Sequence, residues 1–254
     1  MEPWRSALTN YDSGQILIRG RPIQELMRAG NFADAAFLLL AGRPPTSGES
    51  RLWNAILTAC ADHGPSSPSA MAARVAASGN RESVSAAVAA GILAIGDAHG
   101  GAGQQSMELL AEGIARAHRD GMSLKAVANA IAREHADAGR RIPGLGHRIH
   151  GTDPRAVLLF ELARAGGASG RAIELLHHLQ AAASQNAGKD LPINIDGALG
   201  AVLLELGFPP EVGHVAFLLG RVAGIAAHVL EERAREKPMR IHIPFTYDGP
   251  GPTQ

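Results

Sequence analysis

The segment Pro143–Arg155, PGLGHRIHGTDPR, contains the residue types in this chain that are best suited to chemistry. Pro143 and Gly144 interrupt any preceding helix, and Gly146 permits a positive φ or a close approach to a ligand. The pattern therefore predicts that His147 lies on a loop. An imidazole displayed in this way can act as a general acid or base near neutral pH.

Two further loops carry side chains of matching chemistry. His99 lies in GDAHGGAG and Asp196 lies in LPINIDGALG, each close to glycine at a break between helical runs. Two imidazoles and one carboxylate form a candidate acid/base constellation, provided that the three segments converge on one pocket. Structural interpretations stay open. Taken alone, His99 and His147 are typical of loop histidines that serve in capping or packing. Asp196 is typical of an N-cap for a helix beginning at Ala198.

The elements that must position these loops are predicted to be almost entirely helical. Apolar residues recur at three- and four-residue spacing between breaks at Gly, Pro or Asn. The predicted helices span residues 22–29, 34–41, 49–61, 69–77, 83–95, 105–119, 123–138, 154–165, 170–187, 196–206 and 210–236. Only Gln15–Arg19 and Met239–Phe245 read as extended, which predicts an all-α fold with a short extended piece near each end.

Charge and composition disfavour several classes of protein. The 254 residues include 24 Lys plus Arg and 24 Asp plus Glu, so no overall field favours nucleic acid or an anionic membrane. We expect no export signal and no membrane span. The single cysteine, Cys60, is expected to be a buried reduced thiol, which favours a cytoplasmic protein. Pairs such as Asp62 with His63 lack the spacing of a metal site, so no metal is expected.

Three motifs, and their order along the chain, resemble the citrate synthase superfamily. They are GLGHRIHGTDPR, IDGALGAVLLELGFP and LGRVAGIAAHVLEE. The earlier segments ADHGP and GILAIGDAHGGA look closer to citryl-CoA lyases and to the lyase module of ATP-citrate lyase. The resemblance implies an all-α, citrate synthase-like two-domain helical fold that forms a homodimer. Its large domain would comprise residues 1–103 and 207–254, and its small domain residues 104–206.

The resemblance also implies a role for each residue of the constellation. Asp196 matches the base at the acetyl-CoA methyl carbon, and His99 matches the donor to the thioester oxygen. His147 would exchange a proton with the oxygen of the second substrate. Planar arginine donors suit the carboxylates of oxaloacetate or of a citryl group. The implied substrate-binding residues are His63, Arg155, Arg221 and, reaching into the partner subunit's site, Arg240.

Each of the three arginines has an alternative interpretation. Arg235 competes with Arg240 for the role in the partner's site. Arg155 could instead pair with Glu161 or Asp153 at the surface, and Arg221 could be buried against a structural carboxylate.

The same resemblance implies a binding segment for coenzyme A. The backbone around Ile142–Gly146 resembles the segment that surrounds the adenine, and Arg141, Arg148 or Lys189 are candidates for the phosphates. The implied cofactor-binding residues are Ile142, Pro143, Gly144, Leu145, Gly146 and Lys189.

These implications predict a citryl-CoA lyase-like enzyme that reversibly cleaves citryl-CoA to acetyl-CoA and oxaloacetate by acid/base catalysis. One alternative is a citrate synthase, or a related 2-methylcitrate-type synthase, which is a transferase that hydrolyses the thioester after condensation. His99 leaves this choice open, because the lyase module of ATP-citrate lyase has phenylalanine there. A second alternative is a catalytically silent CoA-binding helical module, which would not need His99, His147 and Asp196 together.

Overall fold

The computed structural model describes residues 3–146 and 153–251, and within them the chain forms eleven helices and three short strands. The helices are α1 Ile23–Ala29, α2 Phe32–Ala41, α3 Ser47–Cys60, α4 Pro68–Gly79, α5 Val84–Leu93, α6 Ala102–Arg119, α7 Leu124–Asp137, α8 Pro154–Ala165, α9 Arg171–Ala187, α10 Ile195–Glu205 and α11 Glu211–Arg235. The prediction of an all-α fold is confirmed, and each predicted helix is present with small shifts at its ends.

Polar residues in front of the helices explain several of these boundaries. Ser123 is the N-cap of α7, as predicted, because its side chain accepts a hydrogen bond from the Ala126 N–H. Thr46 and Glu49 form a reciprocal capping box at the start of α3. Such caps satisfy N–H groups that have no partner inside the helix.

The strands form one small antiparallel sheet near the N-terminus, in the order β1-β2-β3. They are β1 Thr9–Asp12, β2 Gln15–Ile18 and β3 Arg21–Pro22. The extended pattern at Gln15–Arg19 is therefore confirmed as β2. The prediction for Met239–Phe245 is wrong in one respect: this segment is described throughout and forms no strand. A strand needs a neighbouring strand for its hydrogen bonds, and none of the three described strands pairs with it.

The chain divides into two compact units. The first comprises Met1–Asp62 and Gly96–Arg221, and the second comprises His63–Ile95 and Val222–Gln254. Helix α11 begins in the first unit and ends in the second. The large and small domains implied by the resemblance have other bounds, and they stay a prediction.

Helix α10 lies at the centre of the first unit. Its residues Gly197–Leu203 are all buried, and they contribute to two apolar clusters. One cluster contains the aromatic side chains of Phe37, Trp53 and Phe208, whose ring centroids lie 5.1 to 6.1 Å apart. The other lies among α6, α7 and α9. A helix that is apolar on all sides is stable only when it is buried, so packing fixes α10 and the residue at its start.

The second unit packs α4 and α5 with the later part of α11. Its core contains alanines together with Ile225 and Val229, which are fully buried. A side chain at Gly91 would lie 2.7 Å from Ile225 and 2.9 Å from the Ser69 carbonyl oxygen, so the helices approach closely there. Contrary to expectation, α11 is long and apolar enough to span a membrane by length and composition. Core helices have the same features, and part of α11 is buried here.

Candidate active site

Asp196 is the second residue of α10. The N-cap of this helix is Asn194, whose Oδ1 accepts hydrogen bonds from the backbone N–H groups of Asp196 at 3.0 Å and Gly197 at 3.1 Å. The interpretation of Asp196 as the N-cap of a helix beginning at Ala198 is therefore wrong. The half-buried Asp196 carboxylate lies in the first turn, where the helix dipole favours negative charge.

His99 lies in a tight turn immediately before α6. Its N–H and C=O groups both bond to Gly96, at 3.1 and 2.9 Å. Gly100 has a φ of +93°, and a side chain on Gly101 would lie 2.7 Å from the Asp97 Cα. Gly100 and Gly101 are thus required by the backbone of this turn, in which His99 is half-buried.

Phe217 connects His99 with Arg221. The His99 ring packs edge-on against the Phe217 ring, with 5.6 Å between their centroids. On the same ring lies the guanidinium carbon of Arg221, 4.7 Å from the centroid, in a cation–π contact. Phe217 and Arg221 lie four residues apart on α11, so helical geometry alone places them on one face.

Arg221 is only 4% exposed, and its Nε donates a 2.8 Å hydrogen bond to the Cys60 carbonyl oxygen. Burial lowers the pKa of the guanidinium, whereas Cys60, Asp62 and Asp196 act in the opposite direction. A side chain at Gly220 would lie 2.5 Å from the Leu57 carbonyl oxygen, so α11 approaches α3 closely at this point. Arg221 therefore packs against a backbone carbonyl with carboxylates nearby.

Electrostatic interactions place three predicted residues around Cys60. The pKa of its thiol is raised to about 12, chiefly by burial; the charge of Asp196 acts in the same direction, whereas the charges of Arg221 and Arg155 lower the pKa. Charges shift a pKa in this way only at short range. Asp196, Arg155 and Arg221 therefore all lie within electrostatic range of Cys60, and Phe217 contacts both Arg221 and His99. The prediction of a buried free thiol at Cys60 is confirmed.

Arg155 lies in the first turn of α8 and pairs with Asp153, not with Glu161. The Arg155 Nη2 atom lies 2.9 Å from Asp153 Oδ2, and Nε lies 3.1 Å from Oδ1. The pair is not a surface feature, because the Asp153 side chain is fully buried while that of Arg155 is 31% exposed.

Four other predicted residues are not assigned to this group. His147 and Arg148 lie outside the described residues. His63 is exposed and belongs to the second unit. Arg240 belongs to the same unit and pairs with Glu232 and Glu236 of its own chain. The roles of these four residues stay predictions. Within residues 3–146 and 153–251, no group of three or more His, Cys, Asp or Glu side chains is arranged to hold a metal ion.

A cavity of about 680 Å³ lies in the first unit, beside the start of α10. Its walls come from α6, α7, α9 and the segment after α7. All six predicted cofactor-binding residues, Ile142 to Gly146 and Lys189, line it, together with Arg141. The lining also includes residues that sequence analysis did not single out, among them His135, Arg140, Asn186 and Asn194.

Hydrogen bonds from both the backbone and the side chain of Asn194 attach the cavity loop to the start of α10. Asn194 donates from its N–H to the Gly144 carbonyl at 3.0 Å and from Nδ2 to the Gly146 carbonyl at 2.9 Å. Gly144 has a φ of +85°, and a side chain there would lie 2.5 Å from the Gly197 Cα. Loop and helix therefore fit together only with glycine at both positions, so the cavity and Asp196 share one rigid support.

Asn194, Asp153 and Phe217 were not predicted to be parts of the site. Asn194 had a usable signal, because an asparagine just before a helical run is typical of an N-cap. Asp153 had a weaker one, since Asp followed by Pro often starts a helix. Phe217 had none beyond its helical spacing from Arg221.

Comparison with known proteins gives matches over most of the chain. The family model "Citrate synthase, C-terminal domain" matches residues 45–242. The structure of citryl-CoA lyase from Hydrogenobacter thermophilus is 35% identical with a TM-score of 0.90, and the match covers 100% of this chain and 97% of that one. ATP citrate lyase from Methanothrix soehngenii, solved in complex with citrate and coenzyme A, is 23% identical with a TM-score of 0.78, over 98% of this chain and 43% of that one.

A curated relative is similar over a shorter region. The probable ATP-citrate synthase of Dictyostelium discoideum is 29% identical over an alignment of 121 residues, and the match covers 41% of this chain and 19% of that protein. The match therefore spans about a fifth of the length of that relative.

Proposed function

This chain belongs to the citrate synthase family, and we propose that it is a citryl-CoA lyase, which reversibly cleaves citryl-CoA to acetyl-CoA and oxaloacetate. The resemblance predicted from the sequence motifs is thereby confirmed. The observation that supports the lyase proposal most strongly is the similarity to a citryl-CoA lyase over the full length of both chains. The first unit contains His99, Asp196, Arg155 and Arg221. These are the acid/base and carboxylate-binding groups that the proposed reaction needs.

In the proposed cleavage, the bond between the citryl carbinol carbon and the methylene carbon breaks. His147 accepts the hydroxyl proton, so that the carbinol oxygen becomes the carbonyl of oxaloacetate. Electrons from the broken bond move into the thioester as an enol or enolate of acetyl-CoA. His99 stabilises the charge that develops on the thioester oxygen. Asp196, in its acid form, then protonates the methylene carbon, and acetyl-CoA results. Condensation follows the same steps in reverse.

Arg155 and Arg221 are the proposed donors to the carboxylates of the oxaloacetate half. Both guanidinium groups lie close enough to influence Cys60 electrostatically, as Asp196 does. Guanidinium groups bind carboxylates through two parallel hydrogen bonds, which fix orientation as well as charge. The oxaloacetate half would therefore lie beside the acid/base residues.

The 680 Å³ cavity is the proposed site for coenzyme A. Its lining combines apolar residues such as Ile142 and Leu145 with the basic side chains of Arg140, Arg141 and Lys189. An adenine ring needs the former and phosphate groups need the latter. In this proposal the thioester end lies near Asp196, since the cavity loop and the start of α10 are hydrogen-bonded to each other.

We also propose that the protein is a cytoplasmic homodimer. Large apolar side chains of the second unit remain exposed in the single chain, among them the helical residues Met71, Val75, Leu93 and Leu230. Burial in an interface between two copies would stabilise them. The chain has one cysteine, Cys60, which cannot form an internal disulfide, and this favours a reducing compartment. Sedimentation of the purified chain would give its oligomeric state.

Incubation with citryl-CoA tests the proposal. Malate dehydrogenase and NADH report oxaloacetate, and chromatography separates acetyl-CoA from free CoA. We expect equimolar oxaloacetate and acetyl-CoA. Release of citrate and free CoA would instead indicate the hydrolytic step of a citrate synthase. If the folded protein consumes no citryl-CoA but binds CoA, it is the catalytically silent CoA-binding module and not a lyase.

A further inference from the structure

Asp153 is a buried carboxylate beside the candidate active site. It is only 1% exposed, and of the charged residues that the structure describes only Arg221 and Glu232 share its buried state. Burial of a carboxylate is costly unless hydrogen bonds and a counter-charge compensate. The partners of Asp153 are therefore informative about its role.

Asp153 accepts four hydrogen bonds, and they come from two helices. Three come from Arg155, namely from its N–H at 3.0 Å, Nε at 3.1 Å and Nη2 at 2.9 Å. The fourth comes from the N–H of Ile195 at 3.1 Å, 42 residues further along the chain. An ordinary N-cap satisfies only its own helix, whereas Asp153 joins the start of α8 to the start of α10.

Ile195 is the first residue of α10 and directly precedes Asp196. Asn194 satisfies the N–H groups of the second and third residues of this helix, and Asp153 satisfies that of the first. One carboxylate thus contributes to holding the backbone that presents Asp196. Arg155 contacts the same carboxylate through the Nε and Nη2 edge of its guanidinium, so the Nη1 donors are not part of this pair.

Asp153 also carries a charge near neutral pH. Burial raises the pKa of its carboxyl, but the hydrogen bonds and charge of Arg155, with the hydrogen bond from Ile195, outweigh burial and lower it below its ordinary value. Because the carboxylate is ionised, its two bonds to the guanidinium are charge-assisted and directional.

We propose that Asp153 is a positioning residue that orients Arg155 toward a substrate carboxylate and sets the backbone of Asp196. Asp153 thereby fixes the position of Arg155, which binds the oxaloacetate half, relative to Asp196, which acts on the acetyl half. This inference rests on the proposed citryl-CoA chemistry and adds a residue to which the family resemblance assigned no role.

Asp153→Asn tests the proposal, because it keeps the shape and one acceptor oxygen but removes the charge. We expect the KM for oxaloacetate in condensation, and its Kd measured by calorimetry, to rise about tenfold or more. Glu49→Gln is the matched control. Glu49 also pairs with an arginine, Arg43, and bonds a backbone N–H at a helix start, yet no predicted site residue contacts it. Its Kd should change less than about twofold.

A double-mutant cycle with Arg155→Met separates positioning from general support. If Asp153 acts through Arg155, Asp153→Asn should raise the Kd for oxaloacetate much less in the Arg155→Met background. Should Asp153→Asn fail to fold, Asp153→Glu replaces it, since that variant keeps the charge and displaces the carboxylate; the same rise in Kd is expected.

Loss of thermal stability with unchanged KM and Kd in the folded Asp153 variant would overturn the role of Asp153 and leave it a structural cap. Wild-type turnover separates this from failure of the lyase proposal. If the wild type binds oxaloacetate without converting citryl-CoA, the function is wrong, while the Kd comparison still decides whether Asp153 positions Arg155.

Discussion

Asp153 in the first unit and Glu232 in the second are both buried carboxylates paired with arginine, but they bind different kinds of partner. Asp153 accepts two of its hydrogen bonds from backbone N–H groups at the starts of α8 and α10. Glu232 pairs with the side chains of Arg74 on α4 and of Arg240, which follows α11. The first arrangement fixes backbone next to Asp196, whereas the second links separate segments of one core.

A buried carboxylate paired with arginine thus has a different role in each of the two units. In the first unit it contributes to the geometry of the candidate site, so changes there should affect activity more than stability. In the second unit it holds α4, α11 and the following segment together, so changes there should affect stability first.

The largest effect is expected for Asp196→Asn. Removal of a general acid/base group should lower kcat by about a thousandfold, whereas the midpoint of thermal unfolding should fall by less than roughly 3 °C because Asn194 supplies the cap. Steady-state kinetics and thermal melts measure both quantities. Glu211→Gln is the control, since Glu211 is an exposed first-turn carboxylate of α11. A variant that retains full turnover would remove Asp196 from the mechanism.

Glu232→Gln should have the largest effect on stability. The change removes the buried counter-charge of Arg74, whose side chain is only 12% exposed. We expect the free energy of unfolding to fall by about 3 kcal/mol and the thermal midpoint by roughly 6 to 12 °C. The partly exposed Glu236 in the same network provides the control, because Glu236→Gln should cost far less. Equal losses in the two variants would contradict the contrast.

Changes at the basic edge of the cavity should have intermediate effects on binding alone. Arg141→Ala and Lys189→Ala should each raise the KM for acetyl-CoA about tenfold and leave kcat nearly unchanged, because a phosphate contact is made equally in ground and transition states. Arg133→Ala and Lys125→Ala are matched controls, since both side chains are exposed on α7 and do not line the cavity. If the controls raise the KM as much, the cavity is not the CoA site.

The smallest effect concerns Cys60. Because burial raises the pKa of this thiol to about 12, it stays protonated and should react slowly with iodoacetamide at pH 8.5, but rapidly after unfolding in urea. Because the pKa of Cys60 is higher in the folded than in the unfolded protein, its contribution to the free energy of unfolding is complete below the ordinary thiol pKa. This contribution declines as the pH rises above that value. Equal alkylation rates in the folded and unfolded protein would show that the thiol is accessible.

The helices were predictable because their signals are local. Apolar spacing and breaks at glycine or proline determine where α8 or α7 begins, and Ser123 caps as expected. The strand pattern at Met239–Phe245 misled because strand formation depends on a partner elsewhere in the chain. Secondary structure that depends on distant segments is not encoded in a short window.

The candidate site shows the same limit. Motifs located His99, Asp196 and the cavity loop, but not the residues that hold them together. The bond from Ile195 to Asp153 joins segments 42 residues apart, and Phe217 touches His99 across the fold. Such contacts depend on packing, which spacing does not reveal. Asn194 is the exception, since a cap is local, and a shift of the predicted helix start by one residue concealed it.

Deuterium incorporation into acetyl-CoA tests the central claim, that His99 and Asp196 activate the acetyl methyl group, most directly. Wild-type protein, acetyl-CoA and oxaloacetate would be incubated in D₂O, and the methyl signal followed by proton NMR beside Asp196→Asn and Glu211→Gln. We predict exchange with the wild type and with Glu211→Gln, and its loss with Asp196→Asn. Undiminished exchange by Asp196→Asn, or none by folded wild-type protein, would contradict the account.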